Sequence, residues 1–120
     1  MIRPVLRQLH SPDVPDLAAL RPRDPQSFSI LIQAMFGPSD GAGQESFDFI
    51  LCTPAWLATE AQRVGVVDGR HHLIVETYDL ARLRDFLERY ADRCSGDTWQ
   101  ECAGKLSRLG RWEFEDYKPA

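Results

Sequence analysis

The fold is decided by residues 27–52, which read SFSILIQAMFGPSDGAGQESFDFILC. Apolar side chains alternate along residues 27–36 and again along residues 45–52, which is the spacing of strands buried on one face. Between these runs, residues 37–43 are rich in glycine, together with proline, serine and aspartate. These residue types favour a loop, so we predict an antiparallel hairpin across it.

Three helices are predicted downstream of this hairpin, each beginning at a side chain that can cap a helix. A threonine before a proline, an aspartate before an apolar 3–4 repeat, and a threonine three residues before a glutamate are all such starting signals. Glycines mark the expected ends. The predicted helices are 54–65 after Thr53, 80–95 after Asp79, and 99–110 after the pair Thr98 and Glu101.

Further strands are predicted at residues 2–10, 72–78 and 111–117, and a short helical turn through Leu17 and Leu20. This order predicts an α+β fold: a mainly antiparallel sheet of about four to five strands, with three helices packed mostly on one face. A chain of 120 residues fits one domain, which we expect to span residues 1–120.

Composition narrows the classes of function. The net charge of −4 argues against direct binding of nucleic acid, which needs clustered Lys and Arg. We find no apolar run long enough to span a bilayer and no apolar stretch of a secretory signal, so we expect a cytoplasmic protein without membrane contact. The three cysteines lack paired metal-site spacing, and we expect buried thiols.

Motifs for catalysis are weak. His71 and His72 are adjacent on a predicted strand, so their side chains diverge and cannot easily share a metal. Residues 37–41 match G-x-S-x-G, but they join two predicted strands rather than a strand and a helix, so they do not form a nucleophile elbow. The same glycine-rich loop lacks both phosphate-binding patterns. We therefore expect no catalytic residue, no metal and no cofactor.

Carboxylates are the more informative polar group. Glu113 and Glu115 alternate with aromatic residues on the last predicted strand, and other acidic residues lie on or beside the hairpin. A solvated acidic face and a surface for a basic protein partner both fit this pattern. The candidate partner-binding residues are Asp40, Glu45, Asp48, Glu113, Glu115 and Asp116.

Short blocks along nearly the whole chain resemble a known family, the immunity protein 8 family of bacterial polymorphic toxin systems. The most specific block is the last one, Trp112-Glu113-Phe114-Glu115-Asp116-Tyr117. The other blocks that carry the resemblance are His10-Ser11-Pro12-Asp13 with Asp16-Leu17, Phe36-Gly37-Pro38, Glu45-Ser46-Phe47-Asp48-Phe49, Cys52-Thr53-Pro54-Ala55-Trp56-Leu57, His72-Leu73-Ile74-Val75, Trp99, and Lys105-Leu106-Ser107-Arg108-Leu109-Gly110.

The resemblance implies an antitoxin: a cytoplasmic protein that binds a cognate toxin domain and neutralises it, with no chemistry of its own. It names neither the toxin nor the binding residues, and the oligomeric state stays open. Two alternatives remain from the residues alone. One is a small hydrolase with carboxylates in a cleft, and the other is a structural or oligomerisation domain.

Overall fold

A computed structural model describes residues 1–115 and shows an α+β fold with a mainly antiparallel sheet, as predicted. A short 3-10 helix at Leu17–Ala19 follows the first strand. The strands are β1 (Pro4–His10), β2 (Ser29–Pro38), β3 (Glu45–Cys52), β4 (His72–Ile74) and β5 (Arg111–Trp112), and the helices are α1 (Pro54–Val64), α2 (Leu80–Asp92) and α3 (Trp99–Leu106).

The hairpin of β2 and β3 is the centre of the sheet. The strands run in the order β1-β2-β3-β4, and β5 also pairs with β3. β1, β2 and β5 are antiparallel to their neighbours, whereas β4 is parallel to β3. β5 pairs with Phe47 and Asp48 and β4 with residues 50–52, so the two short strands share one edge of β3.

One face of the hairpin forms the core. Ile32, Ala34, Phe36 and Phe47 are fully buried there, together with side chains of α2 and α3. α1 contributes no buried residue, and its Trp56 stacks on His72 with ring centroids 6.4 Å apart. Since His72 pairs with Ile50 rather than with a core position, this contact lies on the opposite side of the sheet.

The helix starts agree with their sequence signals. Thr53 Oγ1 accepts from Trp56 N, Asp79 from Arg82 N, and Thr98 from Glu101 N. α1 ends at Gly65, where φ is 88°. The other two helices end earlier than predicted, α2 at Asp92 and α3 at Leu106. After Leu106, Leu109 N donates to Leu106 O, so the chain continues in tight turns up to Gly110.

Two strand predictions extended too far at their C-terminal ends, and the first strand begins at Pro4 rather than at residue 2. β4 stops at Ile74 rather than at residue 78, because β3 ends at Cys52 and offers no further partner. The last strand stops at Trp112 rather than at residue 117, because Glu115 N donates to Trp112 O at 2.9 Å and closes a turn. Residues 116 and 117 lie outside the described part of the chain. The predicted helical turn is the 3-10 helix at Leu17–Ala19, and Asp16 caps it by accepting from Ala18 N.

Arg7 organises the loop between β2 and β3. It lies where the β1–β2 register shifts, and its guanidinium donates to the carbonyls of Pro38, Gly41 and Gly43 at 2.6, 2.8 and 3.0 Å. The loop can close over Arg7 only because residue 37 is glycine. A Cβ there would lie 2.0 Å from Gly43 O and 2.5 Å from Arg7 Nε.

Gly37→Ala is therefore expected to lower the free energy of unfolding by about 1–3 kcal/mol, as overpacked sites do. Gly104→Ala is the matched control, because a Cβ at this position in α3 meets nothing within 4 Å. The control should raise stability by about 0.5–1 kcal/mol through helix propensity. Urea unfolding of both variants measures the difference, and equal stabilities would show that the loop closes without needing glycine.

Candidate functional site

The hairpin loop, the start of β3 and the turn after β5 together form an acidic region, which we name the acidic end. Glu113 N donates to Ser46 O at 3.1 Å, and Ser46 N donates back to Glu113 Oε1 at 2.7 Å. This reciprocal pair holds Glu113 beside Glu45 and Asp48 of β3. The structure therefore brings together carboxylates that are 65 and more positions apart in the chain.

Glu45 has a structural role in this region. Its Oε1 accepts from the indole Nε1 of Trp99 at 2.6 Å and from that of Trp112 at 2.9 Å. These bonds tie β3 to the first residue of α3 and to β5. The sequence indicated carboxylates that alternate with aromatic residues here, but nothing in their spacing showed that one carboxylate would join two indoles.

Asp48 lies on the side of the sheet away from the core, which we name the open face. Its neighbours in register are Gln33 of β2 and Arg111 of β5. Asp48 Oδ1 is buried, and no described residue supplies it with a hydrogen-bond donor. The partly exposed side chains of Leu31, Met35 and Ile50 also lie on the open face, so it combines apolar surface with one acceptor that is not satisfied.

The other candidate residues lie around Glu45 and Asp48. Asp40 is exposed in the loop that Arg7 organises. Glu115 forms an ion pair with Arg70 at 2.9 Å, which joins the turn after β5 to the segment before β4. Asp116 lies outside the described residues. Positive charge is thus present at the acidic end as Arg7, Arg70 and Arg111, and the five described candidate carboxylates outnumber these three cations.

The cysteines and His71 occupy structural positions. All three thiols are free and buried, and burial raises the pKa of Cys52, of Cys94 and of Cys102, which disfavours the reactive thiolate. His71, with φ of 63°, has Nε2 2.8 Å from Ser107 O. Among residues 1–115 no three His, Cys, Asp or Glu side chains form a group suited to a metal ion.

The three α-helices have 11, 13 and 8 residues. None in the described part of the chain is both long enough and apolar enough to cross a membrane.

These features define a small α+β protein with a carboxylate-rich end beside a partly apolar sheet face. The chain belongs to the immunity protein 8 family, whose model matches residues 4–117. The match extends over nearly the whole chain and confirms the resemblance seen in the sequence blocks. Neither the curated proteins nor the solved structures gave a match to this chain.

Proposed function

We propose that this protein neutralises a cognate toxin domain by binding it and covering its active site, without making or breaking a covalent bond. Membership of the immunity protein 8 family carries this proposal. The partner is a protein, and the cytoplasm of the producing cell is where protection is needed.

The acidic end supports a contact by charge and shape. Asp40, Asp48, Glu113 and Glu115 offer carboxylates from adjacent elements, and the ties made by Arg7 and Glu45 hold their backbone in place. A surface held in its binding conformation loses less entropy when it associates. Carboxylates also suit a toxin that acts on nucleic acid, because its active site is cationic and binds phosphate.

The direct test is co-expression with the toxin domain encoded beside the gene for this chain. Cells that carry the active toxin domain should survive only when this protein is present. The purified pair should form a complex in which the toxin's activity on its substrate is lost. Survival without a complex would contradict direct binding, and turnover of the toxin itself by this chain would indicate an enzyme instead.

Charge reversal at the acidic end should slow association with the toxin. The double variant Asp40→Lys and Glu115→Lys changes the net charge from −4 to 0, since each reversal adds two units. We expect the association rate constant to fall by about tenfold at low salt, with a smaller effect at high salt. Stopped-flow binding to a catalytically inactive toxin domain measures this rate.

The control for this variant reverses two exposed carboxylates elsewhere, Asp13→Lys and Asp24→Lys in the segment between β1 and β2. This segment follows His10, which pairs with Gln33, so it lies at the end of the β1–β2 pair away from the hairpin loop, and the change in net charge is the same. If both double variants slow association equally, overall charge rather than the acidic end governs capture.

A further inference from the structure

The outer edge of β4 has backbone groups that point away from the sheet. Ile50 N donates to His71 O at 2.9 Å, and Val75 N donates to Cys52 O at 2.8 Å. Alternate residues of this segment therefore face β3, and the N–H and C=O of Ile74 between them face outward. Among the described strands β4 is the last one at this side, so the outward groups meet no further strand.

The other edge of the sheet differs. β1 carries Pro4, which has no N–H, and a register shift next to Arg7. Proline and bulges are two of the features by which proteins prevent an edge strand from pairing, and short length, as in the three residues of β4, is another. β4 has neither a proline nor a bulge, so the two edges are not equivalent as templates for an added strand.

A groove lies directly beside the β4 edge. It has a volume of about 250 Å³, and Leu73, Val75, Leu83 and Phe86 are among its lining residues. Ile74 is 53% exposed and Phe86 is 36% exposed at its rim. Apolar side chains exposed around a concave surface are typical of sites that bind another protein.

The charge of the rim indicates the kind of occupant. Glu76 is exposed and has no ion-pair partner among the described residues. Asp79 forms a long ion pair with Arg82, with Oδ2 and Nε 3.9 Å apart. Two carboxylates and one guanidinium leave the rim with one negative charge in excess. A second copy of this chain would bring an identical rim and a net charge of −4, so a basic segment is the better match.

We propose that the β4 edge and this groove bind an extended segment of the toxin domain. The segment adds to the sheet as a strand beside β4, inserts an aliphatic side chain into the groove, and places a Lys or Arg against Glu76. This proposal rests on the proposed function, because it assigns a second contact to the same partner. Main-chain hydrogen bonds supply affinity in such strand additions, and the groove supplies specificity.

Ile74→Pro tests the proposal, because proline removes an N–H that does not pair with β3 and should leave the fold intact. With the catalytically inactive toxin domain encoded beside the gene as the probe, we expect Kd to rise about thirtyfold or more. Ile74→Thr is the matched control, since it keeps the N–H and the branched Cβ and should change Kd by less than about fivefold. Thermal unfolding verifies that both variants fold.

Hydrogen exchange gives a second measurement that does not depend on a variant. The amide of Ile74 should exchange quickly in the free protein and at least about tenfold more slowly in the complex. Three results would overturn the proposal: no slowing in a complex that forms, equal affinity of folded Ile74→Pro and wild type, or slow exchange caused by a homodimer of the free chain. If wild type binds no toxin at all, the proposed function itself fails.

Discussion

Replacing Phe47 by alanine is expected to lower the free energy of unfolding by about 3–5 kcal/mol, which is the cost of removing a fully buried aromatic ring. Phe47 is 0% exposed. Its ring meets that of Phe36 edge to face at 5.8 Å and stacks on that of Trp112 at 6.4 Å. Its ring therefore links β2 and β5 through β3.

Small domains have only about 5–15 kcal/mol of stability in total, so this variant should be close to unfolded at physiological temperature. Phe86→Ala is the control, because that ring is 36% exposed on α2 and loses less burial. It should cost about 1 kcal/mol. Urea unfolding followed by circular dichroism compares the two, and a larger loss for Phe86→Ala would show that the core does not centre on Phe47.

The hairpin that contains Phe47 could be predicted because its information is local. Alternation along residues 27–52 fixes which side chains share a face, and each cap forms with a backbone N–H only two or three residues away. Arg7 and Gly37 form a contact that local sequence patterns could not predict. Their contact depends on a register shift in β1 and on a loop conformation, and neither leaves a pattern in the sequence.

The lengths and pairing partners of the short strands could not be predicted from local sequence patterns. β4 is short and parallel to β3 because α1 connects them and because Thr53 ends β3. The acidic candidates could be recognised as residues of one charge, but their different surroundings could not. Glu45 meets partners 54 and 67 residues away, and Glu115 meets Arg70 across 45 residues.

Glu45→Ala is expected to have the second large effect on stability. The change leaves the indole N–H groups of Trp99 and Trp112 without their acceptor, and both indoles are only partly exposed. A buried donor left without a partner costs about 1–3 kcal/mol, and because water can reach part-buried indoles the two together should cost about 2–3 kcal/mol. Because the same carboxylate joins β3, α3 and β5, amide exchange should accelerate at the acidic end first.

The Glu45→Gln variant distinguishes the structural role of Glu45 from a role in binding the toxin. The amide carbonyl can still accept from both indoles, so the loss of stability should be about 0.5–1.5 kcal/mol, the difference between a charged and a neutral acceptor. If Glu45 also attracts the toxin, association of the folded Gln variant will slow and lose part of its salt dependence. If association is unchanged while Glu45→Ala is unstable, Glu45 acts only by holding the tryptophans, and the attraction resides in the other carboxylates of the acidic end.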